Sequence, residues 1–447
     1  MRVGRFIAPA ILVGTWTAPG CVDSDESEIG ARGLANTLSG QGDILVASSY
    51  RDIYACDNWA AAVEALQNST FVVSYVAAAS PYRLYFRRYS ADPAAPGFVG
   101  TPQQLDINVT NVRRAGTVVA TEGDATQAAA WLTWDYHYGF PGSGYRSVSF
   151  ARIRQDGTVQ RYIDFDNGVA PSGAVGQTAG WPSEKRVLIA YVSGSFHTGS
   201  IYRGQCGTEI RAAIFDATGT EITSTLVDSA SLPWCFSSPS VVWNNFASRF
   251  EVVYHAHKEV PYIWWRARYV RPDGVRETTP HDFKLCSDLK SATSSAGGVL
   301  TENDCHRHSI AFDTSSSRNA THRFARAYYG DLLWHNQDWT VFGETRIGGG
   351  GASASWVDVM PSGTDFSYRA PSQRADDDYR DGKYYDTSTS VFDQDGIGSR
   401  PCSSGHLSRG ECYHTEAMAR SGLYAAILYS DYHATPRPLF LSVVDTN

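Results

Sequence analysis

Five of the twelve histidines in this 447-residue chain stand where a short apolar-aromatic run gives out. They are His137 after Asp135-Tyr136, His197 after Phe196, the pair in His255-Ala256-His257, and His433 after Asp431-Tyr432. Two more runs end on Tyr328-Tyr329-Gly330-Asp331 and on Arg369. Imidazole, phenol and guanidinium groups gathered in one place can neutralise an anion, take a proton and return one. A plainer account stands beside this one, since histidine and tyrosine also suit strand ends next to solvent. The choice between them turns on whether the runs converge in space.

Two further histidines precede a strand instead of ending one. In Asp304-Cys305-His306-Arg307-His308, the two-residue period of a strand puts His306 and His308 on one side. With a histidine from a facing unit they could hold zinc or copper, or they could hydrogen-bond an anionic substrate; a surface turn is the third reading. Cys402, His406, Cys412 and His414 also carry zinc-type donors, although a loop disulfide flanked by two surface histidines accounts for them more simply in an exported chain. Asp376-Asp377-Asp378 offers oxygen ligands for calcium but departs from the twelve-residue calcium loop, so a solvated acidic loop is the simpler account. No metal ligand is assigned; a divalent cofactor, calcium or zinc, stays open. Trp134, Tyr136, Trp264, Tyr328 and Tyr432 lie in or beside the same segments. Their flat faces suit sugar C–H surfaces, or packing between repeats.

The segments that carry these residues repeat. Acidic turns close related phrases at Asp92, Asp156, Asp216, Asp273, Asp395 and Asp445, with gaps of 64, 60, 57, 122 and 50 residues. The long gap is a double one, and Asn336-Gln337-Asp338 can supply the missing turn. Ahead of the turns lie strand-like runs: Phe71–Tyr75, Trp131–Trp134, Val187–Tyr191, Phe250–Tyr254, Phe324–Tyr328, Asp365–Tyr368 and Tyr424–Tyr429. Further short strands precede some of them, as in Ser240–Trp243 and Ser309–Phe312. Helical periodicity is missing beyond the N-terminus, and Asn58–Gln67 reads as a strand entering the first unit. A period near 60 with tight acidic turns predicts an all-β, seven-bladed β-propeller. The last unit lacks a fourth strand, and residues 43–49 are expected to fill that place and close the ring. The second-to-third-strand loops of a propeller share one face, where the histidines, Tyr328, Tyr329 and Arg369 would meet.

Composition agrees. Charged residues make up 19%, aromatics 13%, glycines number 40, and the net charge is −8 without a basic block. Nucleic acid is therefore excluded as an expected partner, and a monomer is expected. Residues 1–21 read as an export segment: Arg2 and Arg5, an apolar core, then Ala18-Pro19-Gly20-Cys21. This resembles a bacterial lipoprotein signal, in which Cys21 would carry the lipid and form the only tie to a membrane; plain secretion is the alternative. Residues 22–42 read as a tether and 43–447 as the propeller. The expected location is outside the cytoplasm, at the cell surface or in the periplasm if lipid-anchored. Of the remaining cysteines, Cys402 with Cys412 and Cys286 with Cys305 bracket loops, Cys206 with Cys235 is the pair that remains, and Cys56 is odd. Such use fits an oxidising compartment.

The phrase Ser238-Pro239-Ser240-Val241-Val242-Trp243 with Phe250–His257 resembles BNR-type propellers of secreted bacterial proteins. Asp304–Asp313 is similar to a histidine-led strand in propeller-type polysaccharide lyases such as the ulvan lyases, with Ser309 where a proline is usual. The resemblance implies β-elimination on a uronate-containing anionic polysaccharide. The residues fit that chemistry as follows. Arg369 and His257 would neutralise the carboxylate, Tyr329 or Tyr328 would act as base or acid, and His306 or His137 would stand opposite. His197, His255, His308, Trp264, Tyr432 and His433 would bind substrate. Hydrolysis by two rim carboxylates among Asp135, Asp331 and Asp431 is a second enzymatic possibility. A non-catalytic, lipid-anchored propeller that binds glycan or protein is the alternative from a different class.

Overall fold

The structure is a computed structural model that describes residues 44–50, 61–66, 69–78, 82–105, 112–120, 128–138, 145–154, 158–166, 168–177, 184–196, 206–231, 234–244, 247–259, 262–285, 309–312, 324–328, 331–335, 341–346, 358–362, 365–371, 382–386, 391–393, 413–421, 424–431 and 436–445. Among the described residues there is no helix. Strand β1 (Ile44–Ala47) comes first. The first sheet holds β2 (Ala61–Ala65), β3 (Thr70–Val76), β4 (Leu84–Ser90) and β5 (Gly97–Gln104). The second holds β6 (Val112–Ala120), β7 (Ala128–Tyr138), β8 (Tyr145–Arg154) and β9 (Val159–Asp166).

The third sheet holds β10 (Val169–Gln177), β11 (Lys185–Phe196), β12 (Gly207–Asp216) and β13 (Glu221–Ser229). The fourth holds β14 (Cys235–Asn244), β15 (Arg249–Glu259), β16 (Tyr262–Val270) and β17 (His281–Leu285). In the fifth are β18 (Ser309–Phe312), β19 (Phe324–Tyr328), β20 (Asp331–His335) and β21 (Val341–Arg346). In the sixth are β22 (Asp358–Ser362), β23 (Asp365–Pro371), β24 (Gly382–Asp386) and β25 (Val391–Asp393). The last has β26 (Tyr413–Ser421), β27 (Tyr424–Asp431) and β28 (Leu439–Asp445), with β1 as its outer strand.

Each sheet is an antiparallel meander of four strands in chain order, except that β1 pairs with β28 through Ile44–Leu441, Leu45–Phe440 and Ala47–Leu439. First strands meet in the order β2, β6, β10, β14, β18, β22, β26, and β26 in turn meets β2. This is β-propeller architecture.

Side-chain alternation explains why the sheets stack. In the first sheet Phe71 and Val73 pack against Leu428, Leu441 and Val443 of the last sheet. The intervening Val72 and Val76 pack on Ala151 and Ile153 of the second. In β11, Val187 and Ile189 meet Phe150, while Leu188, Ala190 and Val192 join Phe236, Phe250 and Val252 of the fourth sheet. The second strand of a blade therefore needs an unbroken apolar run, because both its faces are covered. Outer strands need none, and β5 is exposed along most of its length.

The acidic turns join third to fourth strands. Asp216 Oδ1 accepts from the Thr220 amide at 2.8 Å and the Thr218 hydroxyl at 2.6 Å. Burial would raise this carboxyl, but these hydrogen bonds outweigh burial and hold it below its ordinary value. Asp92 and Asp273 cap their turns in the same way, through Ala94 N and Val275 N. One turn phrase is corrected. Val391–Asp393 is the fourth strand of its sheet, so the run before Asp395 does not lead into a third-to-fourth turn. Three apolar-acidic residues carry no signal of which strand they form. The turns expected at Asp156 and Asn336–Asp338 lie outside the described residues.

Candidate functional site

The third and fourth sheets are joined at one edge. Gly207, opening β12, bridges to Phe236 in β14. A Cβ on Gly207 would collide with the Ser193 carbonyl oxygen, so only glycine lets the strands approach. Beside it the Cys206–Cys235 disulfide forms, with its Cα atoms 5.3 Å apart, as the cysteine spacing led us to expect. Cys235 faces His257 across the β14–β15 pair, and Ser237 faces His255.

At this edge β14 bulges between Ser237 and Ser240. Ser238 takes φ 50° directly before Pro239, a left-handed conformation that strains a non-glycine residue by about 1–3 kcal/mol. The proline explains the bulge, since it cannot donate to the ladder. Ser237 Oγ lies 2.7 Å from His257 Nε2. The His255 ring meets Trp265 edge to face at 4.0 Å and His257 at 6.0 Å. The opposite face of β15, carrying Tyr254 and Ala256, packs on the third sheet.

Both imidazoles are 0% exposed. This corrects the expectation of open rim side chains that contribute little to the core. The second strand is covered on both faces up to its end, so alternation buries 255 and 257 just as it buries Val253.

The other expected residues are placed by their backbone. His137 is the penultimate residue of β7 and pairs with Arg146. Tyr328 ends β19 opposite Asp331. Arg369 in β23 pairs with Asp358, the first residue of the first strand β22. Trp264 in β16 pairs with Ala256. These positions share one sheet edge, where second strands end and first strands begin. His197, His306, His308, Tyr329, Tyr432 and His433 lie outside the described residues. So do Cys56, Cys286, Cys305, Cys402, His406, Cys412 and Asp376–Asp378. Among the described residues no three His, Cys, Asp or Glu side chains gather as a metal site.

Sequence reasoning missed two features. One is Ser237, whose signal was the Ser-Pro-Ser step inside a strand. The other is a buried cluster between the third and fourth sheets. Asp228 of β13 accepts from the Tyr254 hydroxyl, from Arg268 Nη2 at 2.8 Å and from Arg266 Nη1 at 3.2 Å. Burial, then the Asp228 charge, pushes the Tyr254 phenol well above its ordinary value, so it stays a donor. The arginine and tyrosine here are saturated by Asp228, and the cluster clamps two sheets together.

No protein-family profile matches the chain, and no curated protein matches it. Among solved structures it is similar to the BP39L lectin from Burkholderia pseudomallei, with TM-score 0.49, 11% identity, and 87% of this chain and 96% of that one covered. It is also similar to the polysaccharide lyase Uly1, with TM-score 0.47, 9% identity, and 91% and 99% covered. A third is the α-L-arabinofuranosidase Arb93A from Fusarium graminearum, with TM-score 0.45, 9% identity, and 90% and 97% covered.

Proposed function

We propose that this protein is an exported, carbohydrate-active propeller of seven blades closed by β1, acting as a polysaccharide lyase on a uronate-containing anionic glycan. The observation that carries this reading is the shared sheet edge. There His137, His255, His257, Tyr328 and Arg369 come from four different second strands. In the proposed reaction Arg369 and His257 neutralise the uronate carboxylate. Tyr329 or Tyr328 takes the proton next to it, the bond to the departing sugar oxygen breaks, and a proton from His306 or His137 completes that hydroxyl. Residues 1–21 would direct export and 22–42 would tether the propeller, with Cys21 lipidated or the chain freely secreted. The Cys206–Cys235 disulfide supports an oxidising destination.

The test incubates the protein with a panel of anionic polysaccharides and follows ultraviolet absorbance from unsaturated chain ends. Absorbance growth with at least one uronate glycan is expected; none with any of them would sink the lyase reading. One observation favours a second reading, that of a non-catalytic glycan-binding propeller: His255 and His257 are both fully buried. Binding without product in the same panel would establish that alternative.

A further inference from the structure

The bulge in β14 has a twin in β10. Val169 pairs with Val192 and Ser172 with Ala190, just as Ser237 pairs with His255 and Ser240 with Val253. Ala170 holds φ 53° before Pro171, matching Ser238 before Pro239. β6 takes the same register step between Ala115–Trp134 and Val118–Leu132. Three sheets thus share one backbone device, and the third shows that valines serve it.

In the fourth sheet those two valine slots hold Ser237 and His255, and the slot of Gly194 holds His257. Ser237 is 3% exposed and both histidines 0%. Burying a hydroxyl and two imidazoles costs desolvation that valine does not incur. The backbone does not require them, so their polarity answers to something other than the fold.

We infer that Ser237 is a positioning residue for His257. Its hydroxyl, 2.7 Å from Nε2, can accept from the ring N–H or donate to the bare nitrogen. Either way it fixes the ring's orientation and which nitrogen is engaged. The inference rests on the proposed role of His257 toward an anionic glycan, and it deepens that role.

The test compares Ser237→Thr with Ser237→Val, which match in shape and differ by one hydroxyl. Ring-nitrogen NMR of His257 in the whole chain should match wild type in the Thr variant and show a shifted Nε2 resonance in the Val variant. With a uronate glycan that is turned over, the Val variant should lose about 10- to 100-fold in kcat with little change in KM, and the Thr variant should restore it. Val already fills the equivalent slot at 169, so this variant is expected to fold. If it melts early, Ser237→Ala read against Ser237→Thr below both transitions makes the same comparison. Identical His257 resonances with and without the hydroxyl would overturn the inference. A shifted resonance with no glycan turned over would uphold the positioning and sink the lyase reading instead.

Discussion

Cys235 lies directly across the β14–β15 pair from His257, so the disulfide to Cys206 anchors the strand end that carries this imidazole. The bond spans 29 residues, and closing a loop of that size stabilises by about 3–4 kcal/mol on the chain-entropy account. Replacing both cysteines by serine should lower the thermal midpoint by several degrees. It should also speed hydrogen exchange at the β12 and β14 amides near the bond. Unchanged exchange there would show that Gly207 and its neighbours hold the edge without it.

His257→Ala should cost both stability and function. The change opens a hole beside Trp265 and His255 and strips Ser237 Oγ of its partner, for a loss of about 2–4 kcal/mol. Arg369→Ala should abolish turnover or binding of a uronate glycan. Melting curves and glycan assays on the two variants separate a buried support from a ligand contact. A His257→Ala protein as stable as wild type would contradict the burial seen here.

Asp228→Asn should be severe. It leaves Arg266 and Arg268 without their carboxylate inside the sheet-to-sheet contact, a loss of about 3–5 kcal/mol. The same cluster sets an alkaline limit. Burial raises Tyr254 well above its model value of 10.0, and it raises Tyr89 and Tyr191 to about 12. A folded-state value above the unfolded one means stability is fully present below about pH 10 and falls as pH climbs toward the folded values. Denaturant titrations at pH 9 to 12 should show that fall, and Tyr254→Phe should flatten it. A flat profile in the wild-type protein would refute the shift.

Truncation should be tolerated to residue 42 and not to residue 50. The first deletion keeps β1 on β28; the second removes Val46 and Tyr50 from the core and bares the β28 edge. A soluble, cooperatively melting protein is expected from the first. Aggregation or an early transition is expected from the second. Equal behaviour of the two would show that β1 is dispensable.

The sequence by itself determined which runs become strands and where third strands turn. Phe71–Tyr75, Val187–Tyr191 and Phe250–Tyr254 are apolar on both faces, a pattern that only a strand between two layers can satisfy. Asp216 and Asp273 hydrogen-bond their own turns, which is local chemistry and needs no distant partner. The Cys206–Cys235 pair was legible too, being the pairing left once the other loop cysteines were matched. Tertiary structure decided the rest. Val391–Asp393 could have been any strand until its neighbours paired. His255 and His257 looked like rim residues because exposure depends on the layer covering them, and that layer is set by residues far along the chain. Ser237 meets His257 across twenty positions through a bulge. Which side chains share a face there follows from the register of β14 on β15, which hydrophobic pattern alone does not encode.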